Sequence, residues 1–482
     1  MGYFLGVDLG TSYFKAGVFD ESGKLRGLGR QLVKKTRKDE PFCELQIGAF
    51  WEILQCCIGQ ALLAAKITNK EIESISYSSQ ANSFILLDGT DHPLTPLILW
   101  PDNRAEKYDT PIKSLSERTD FQYKTGLGNC LDSQYGIAKI SWFQKSRPQI
   151  WNRVKSILSI SDYLIFSLTG QKVSDYGTTS LSGLFDASKR EWWCDALDIF
   201  NIERSSLPLP MKAGTLVGPI TLSGARRLGL QKRALFCLGG LDHHVAAIGA
   251  GLLHLNYMSE STGTVLACVN YQEGFSPHQN VCIAPGWDDD HYFQMTFCEN
   301  GAVPLEWYQK NYAPECSIPE LLEMAAPVDP GCEGLVARSC VNRFQGLSGF
   351  ENRNHHHHHG HFIRAILEST AWSLSGMIEG LKASSLSQGV VSTGGGAQSQ
   401  LWIKIKADLL GSSFLIPECN ELACFGAAMI GAAGTGQLGN INEVTDHWVR
   451  TKKVISPDPV NVEKYKDWSS RIRNLPGYNL LC

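Results

Sequence analysis

Apolar and polar positions along the chain fall into short runs whose period changes from two to about 3.6. Tyr3 to Val7 is apolar, Asp8 to Ser12 is polar and holds a glycine, and an apolar run resumes from Lys15 to Phe19. That order predicts strand, turn and strand. It returns downstream, where Met258 to Ser261 leads into Thr262, Gly263 and Thr264 and then into the apolar run from Val265 to Val269. Two such hairpins, about half a chain apart, predict two lobes built on a related plan. Between them Ala234 to Leu241 reads as a buried strand ending in Gly239, Gly240, Leu241 and Asp242, and Val245 to Gly251 reads as the start of a helix. A polar residue at the C-terminal end of such a strand faces the crevice where α/β proteins bind ligands. Val390 to Thr393 runs into Gly394, Gly395 and Gly396, and a helix from about Gln398 to Leu410 places Leu401, Ile405 and Leu409 on one face.

Strands and helices alternate throughout, so the expected class is α/β. At 482 residues the chain exceeds one ordinary core, and a division is expected near residue 250. The balance of 44 basic to 48 acidic residues, a formal charge of -4, gives no footprint for nucleic acid or an anionic membrane surface. No basic segment, apolar run and small-residue cleavage site open the sequence, and no uninterrupted apolar stretch approaches the ~18 residues of a membrane span. A cytoplasmic address is the expectation. The 15 cysteines are dispersed without metal-type spacing and read as reduced thiols.

The turns carry the candidate chemistry. Glycine lets backbone amides approach an anion closely and threonine or serine hydroxyls donate to it, so both hairpin turns suit phosphate. Asp8 beside such a phosphate would repel it unless a cation lay between, which implies Mg²⁺. GxxxxGK(S/T), HExxH and GxSxG are absent. The tract His355 to His359 reads as an exposed loop in which imidazoles bind metal only incidentally.

Four strings, FLGVDLGTSYFKAGVFD, LFCLGGLDHHVAAIGAG, SESTGTVLACV and STGGGAQSQLWIKIKADLLG, together resemble the FGGY carbohydrate kinases of the actin, Hsp70 and hexokinase superfamily. They occur in the family's order from Phe4 to about Gly436. The resemblance implies two actin-like (ribonuclease H-like) lobes with an active-site cleft between them: 1–250 with the sugar side and the catalytic acid, 251–482 with the nucleotide side. It implies that Asp242 is the catalytic base. A helix cap is the other reading of that residue. Gly10, Thr11, Ser12 and Lys15 match the first phosphate hairpin, Asp8 the metal side, and Gly263 and Thr264 the second phosphate loop. Gly395, Gly396 and Gln400 match the adenosine segment, and Gly301 resembles a further nucleotide-side glycine.

On the sugar side the matches are Gln80, Asn82, Trp100, Asp102 and His243. Trp100 also reads as a core aromatic, and Asp102 as half of a salt bridge with Arg104. Ala81 and Asn82 stand where glycerol kinases resemble Arg then Glu, and where xylulokinases show Met then His. His243 replaces an Asn of the xylulokinases, and Gly136 stands where the family pattern has Pro, Ser or Thr. These departures touch specificity. The implied activity is ATP-dependent phosphorylation of a sugar or polyol, a ketose such as a pentulose being favoured, with ATP and Mg²⁺; a homodimer is the assembly common in the family it resembles. A silent sugar- or nucleotide-binding regulator, and an ATP-driven chaperone-like or filament protein, are the competing readings.

Overall fold

The computed structural model describes residues 2–36, 41–105, 110–128, 131–230, 234–255, 257–338, 346–381 and 389–475. In chain order the elements that position the site are β1 (Tyr3–Leu9), β2 (Tyr13–Asp20), β3 (Leu25–Leu32), α1 (Ile47–Ala65), β4 (Ile72–Ser79), α2 (Gly136–Ser146), α3 (Tyr176–Ser180), β5 (Leu216–Pro219), β6 (Leu235–Cys237), β7 (Gly240–Leu241) and α4 (Asp242–Gly249). There follow β8 (Met258–Thr262), β9 (Leu266–Glu273), α5 (His359–Gly380), β10 (Val390–Thr393), α6 (Gln400–Leu410), β11 (Phe414–Pro417), α7 (Leu422–Gly434) and β12 (Thr451–Ile455). The chain forms two compact units. One comprises Met1–His254, Tyr271–Gln294 and Glu421–Val449, the other Leu255–Asn270, Met295–Asn420 and Arg450–Cys482.

The first unit is built on a seven-stranded sheet in the order β5-β6-β4-β1-β2-β3, with β7 also paired to β4. β1 and β2 form the expected antiparallel hairpin, while β4 lies parallel to β1 on its other side. Period-two alternation sorts β1: Leu5, Val7 and Leu9 join the core cluster that includes Phe50, Leu54 and Ile58 of α1. Gly6 and Asp8 therefore point to the other face, which α7 covers. A Cβ on Gly6 would lie 1.8 Å from the Cys424 carbonyl oxygen, so only glycine allows α7 to lie this close to the sheet. Among the described residues α1 alone is long and apolar enough to cross a membrane by length and composition. Glu52 and Gln55 interrupt it, and its apolar face is spent on the sheet.

The second unit repeats the plan. Its seven-stranded sheet contains the run β9-β8-β10-β11-β12, with β8 and β9 antiparallel, β10 parallel to β8 and β11 parallel to β10. β10 spans the residues expected of it.

Three expectations need correction. The strand expected over Ala234 to Leu241 is broken into β6 and β7, because a Cβ on Gly239 would lie 1.7 Å from the Tyr77 carbonyl oxygen and the backbones touch there. The helix expected to open at Val245 instead begins at Asp242. Of the cysteines, Cys57, Cys237 and Cys268 are buried free thiols, whereas Cys298 is disulfide-bonded, against the expectation of reduced thiols.

Candidate functional site

Strand register brings the first unit's two candidate acids to one end of its sheet. Asp8 pairs with Lys15 across the hairpin and with Ser78 of the parallel neighbour, and Gly240 of β7 lies opposite the same Ser78. Asp242 follows Leu241 directly, at the C-terminal ends of these parallel strands. Ser78 Oγ donates to Asp8 Oδ1 at 3.1 Å. Burial pushes the Asp8 carboxyl up to about 7; Lys15 opposes that shift and Asp242 adds to it. Lys15 Nζ donates to Glu421 Oε2 at 2.6 Å. Burial works against the lysine's charge, but Glu421 and then Asp8 more than offset it and hold its pKa above the ordinary value.

Asp242 is the first residue of α4 and not its cap. The N-cap is Leu241, without a side-chain bond, and Asp242 Oδ1 accepts from the His243 backbone N–H at 2.8 Å. α4 is fixed from behind by α7: a Cβ on Gly426 would lie 1.9 Å from the Val245 carbonyl oxygen. His243 is partly exposed beside the acid, while His244 turns inward and stacks on Phe293 at 4.4 Å. Burial pushes the His244 imidazole down to about 3, so it is neutral.

The sugar-side candidates divide into residues at the surface of this site and residues beneath it. Trp100 Nε1 donates to Thr11 Oγ1 at 2.7 Å, so a proposed sugar contact and a proposed phosphate contact hold each other. Gln80 is buried, and its Nε2 donates to the Leu9 and Gly10 carbonyls at 3.1 and 3.2 Å while Oε1 accepts from Ser83. Its amide is therefore committed to bracing the turn that contains Gly10. The Ser12 carbonyl accepts from Val33 N–H at 2.9 Å and fixes the far side of that turn. Asn82 adopts a positive φ of 58° and its Oδ1 accepts from the Gly136 N–H at 3.0 Å. Gly136, the departure from the family pattern, thus opens α2 against Asn82.

Asp102 corrects an expectation. It is wholly enclosed, at 0% exposure, and accepts from Cys43 N at 2.5 Å and from Arg104 Nε and Nη2 at 2.7 and 2.9 Å. The salt-bridge reading is the one its surroundings support, for no ligand could reach the carboxylate. Lys139, which burial pushes down to about 7, donates to the Trp100 and Gln134 carbonyls at 2.7 and 2.8 Å and holds the Trp100 backbone.

In the second unit the predicted nucleotide residues gather at the ends of β8 and β10. Gly263 and Thr264 form the turn from β8 to β9, and Gly301 donates its N–H to the Thr264 carbonyl at 3.1 Å. A Cβ on Gly301 would lie 2.1 Å from the Gly263 carbonyl oxygen. Gly394 has a φ of 77° and turns the chain after β10, and Gly396 lies against Thr262. Gly395 and the first residue of α6, Gln400, are exposed beside them.

Beneath these turns is a group that sequence reasoning missed. Lys406 Nζ donates to Glu260 Oε1 at 2.7 Å and to Thr262 Oγ1 at 2.6 Å, Thr262 donates to Glu260 Oε2 at 2.8 Å, and Ser392 Oγ also donates to Glu260. All four side chains are at 0% exposure. Lys406 lies four residues after buried Trp402 on α6, a spacing that marks the inward face of a helix.

The histidine tract is not simply a loop. His358 caps α5 by accepting from Gly360 N–H at 3.1 Å, His357 is buried, and α5 begins at His359. Ligand atoms of Glu333, His356 and His357 lie within 4.8 Å of one another. His357 Nδ1, however, already accepts from Asn354 N–H at 3.1 Å, which puts the ring proton on Nε2 and denies that nitrogen to a cation.

Two α/β units, each with an antiparallel hairpin flanked by parallel strands, one bearing an acid at its strand ends and the other a glycine-lined set of turns, define a two-domain protein of the phosphotransferase type. The N-terminal domain of the FGGY family of carbohydrate kinases matches residues 3–249 and the C-terminal domain matches 317–435, so the chain belongs to that family. It is an ATP-dependent sugar phosphotransferase. A xylulose kinase of Staphylococcus epidermidis is 28% identical over 97% of this chain and 95% of its own, and a gluconokinase of Bacillus subtilis is 25% identical over 92% and 90%. The crystal structure of ligand-bound xylulose kinase from Lactobacillus acidophilus matches the fold with a TM-score of 0.87, covering 98% of each chain at 21% identity.

Proposed function

We propose that this kinase transfers the γ-phosphate of ATP to a hydroxyl of a ketose, a pentulose in the first instance, with Asp242 as general base. The observation that carries the reading is the placement of Asp242: it directly follows β7, at the end of the sheet where Asp8 also lies, with one carboxylate oxygen fixed by the His243 amide. In line with the chemistry of phosphoryl transfer, the protein positions and neutralises charge, and Asp242 takes the hydroxyl proton as that oxygen attacks phosphorus. Lys15 and the turn of Gly10, Thr11 and Ser12 in the first unit hold phosphate oxygens, and the turn of Gly263 and Thr264 in the second is a further phosphate loop. Gly395, Gly396 and Gln400 receive the adenosine, and Gly301 fixes the second turn.

Asp8 is suited to Mg²⁺: burial raises its carboxyl to about 7 and Asp242 adds to that rise, so a cation beside it would favour the charged form. When bound, the ion supplies neutralisation of the phosphate oxygens. Asn82, Trp100 and His243 contact the acceptor, and Gln80 acts through the turn it braces. The division of labour follows as sugar side in 1–250 and nucleotide side in 251–482, in a cytoplasmic homodimer. Support for a pentulose comes from the xylulose kinase relatives, which match nearly end to end.

The test is ADP release with Mg·ATP over D-xylulose, D-ribulose, D-fructose, D-gluconate and glycerol. A ketose should stand out, and Asp242→Asn should cost at least ~100-fold in turnover while ATP still binds. Near-normal turnover in that variant would overturn the base assignment.

A further inference from the structure

On β2, Phe14, Ala16 and Val18 join the core cluster, so Lys15 and Gly17 face the other way, toward α7. Gly6 and Gly17 are cross-strand partners, and both lie under Cys424: a Cβ would stand 1.8 Å from the Cys424 carbonyl oxygen on the first and 3.1 Å from Cys424 Cβ on the second. Two residues further along β1 and two residues back along β2 come Asp8 and Lys15, again partners. Three residues back from Cys424 comes Glu421, the N-cap of α7. Close packing of the helix on the hairpin thus delivers Glu421 to Lys15 from 406 positions away, and Lys15 Nζ donates to Glu421 Oε2 at 2.6 Å. The Glu421 side chain makes no capping bond to its own helix.

We propose that Glu421 is a positioning residue, which holds the Lys15 ammonium at the phosphate turn and keeps it off Asp8. This role rests on the phosphate contact given to Lys15 above and supplies the group through which that contact is prepared. A lysine ammonium is a compact charge on a flexible stem and has three donors. Glu421 takes one of them, and among the described residues no other acceptor is bonded to Lys15 Nζ, which leaves two for phosphate oxygens. A side chain ordered in advance also loses less freedom when the ligand arrives. Released from Glu421, the lysine has Asp8 as the next acid acting on it. Drawn onto Asp8, it would leave the phosphate and neutralise the carboxylate suited to Mg²⁺. Stability does not account for the pair, because its side chains are 24% and 22% exposed and ion pairs open to solvent contribute little.

The experiment measures calorimetric affinity for Mg·ATP, without acceptor, in full-length wild type, Glu421→Gln, Glu421→Asp, Lys15→Met and the double variant Glu421→Gln with Lys15→Met, and uses thermal melts to establish folding. Glu421→Gln keeps the shape and removes the charge, and should weaken ATP binding about tenfold or more. Glu421→Asp, one methylene shorter, should fall between that variant and wild type. In the Lys15→Met background Glu421→Gln should change affinity less than about twofold, because the group it acts through is gone. Wild-type affinity in Glu421→Gln beside a weakened Lys15→Met would overturn the positioning role and leave the phosphate role of Lys15 standing. An equal loss from Glu421→Gln in both backgrounds would overturn it too, since the carboxylate would then act by another route. Wild-type affinity in Lys15→Met would refute the phosphate role itself, and the positioning role with it. Should Glu421→Gln fail to fold, Glu421→Asp takes its place in both comparisons.

Discussion

Replacing Lys406 by Met removes the cation from a wholly enclosed group and leaves Glu260 charged among hydroxyls. Glu260 accepts from Lys406, Thr262 and Ser392, and none of these side chains has solvent contact. Breaking one partner of such a pair costs about 3–5 kcal/mol, whereas replacing both by apolar residues is often neutral. Lys406→Met should therefore lose about 3–5 kcal/mol, and Lys406→Met with Glu260→Leu should recover most of that loss. Urea unfolding followed by tryptophan fluorescence reads the difference, since Lys406 Nζ lies 5.4 Å from the Trp402 ring centroid. Because the pair lies under the Thr262 end of β8 and beside the Ser392 end of β10, the single variant should also weaken ATP binding. The reasoning is refuted if the single variant stays within about 1 kcal/mol of wild type, or if the double variant is the less stable of the two.

Further outcomes follow from other groups. Gly301→Ala puts a Cβ 2.1 Å from the Gly263 carbonyl and 2.7 Å from that of Thr264, so the turn must move; KM for ATP should rise about tenfold or more with the acceptor KM unchanged, in steady-state kinetics. The Asp8 carboxyl is raised from 3.8 to about 7, so between those values the unfolded chain gives up its proton while the folded one keeps it. Stability should fall as pH rises from about 4 to about 7 and level off above. Melting temperature against pH should show a shallower fall in Asp8→Asn, and an unchanged slope would contradict the assignment. Arg104→Ala strands the enclosed Asp102 carboxylate and should cost about 3–5 kcal/mol of stability. Acceptor KM of the folded remainder should stay the same, since neither residue reaches the ligand.

Much of the site was legible because turns are written locally. The hairpin turns at Asp8 to Ser12 and Thr262 to Thr264, the glycine run after β10 and the acid that follows β7 all lie in short windows whose residue types have few structural alternatives. What escaped depends on residues distant in sequence. The break at Gly239 is imposed by Tyr77, and Asp102 is claimed by Cys43 as well as by nearby Arg104. Glu260 and Lys406 meet across 146 positions, and a lone Glu in a strand and a lone Lys in a helix each suggest solvent until paired. His357 and His358 read as part of a polar tract because composition does not reveal that one is enclosed and the other ends a helix. The assignment of Tyr271–Gln294 and Glu421–Val449 to the first unit is likewise a property of packing and not of local pattern.

The crossing of α4 over α7 through Gly426 leaves no slack between main chains. A helix seated on carbonyl oxygens cannot slide or roll to suit a newcomer, so the Asp242 carboxyl it carries stays put whichever sugar arrives. Divergence toward other acceptors would then fall on side chains carried elsewhere, such as Asn82 where it meets Gly136, and not on the helix backbone.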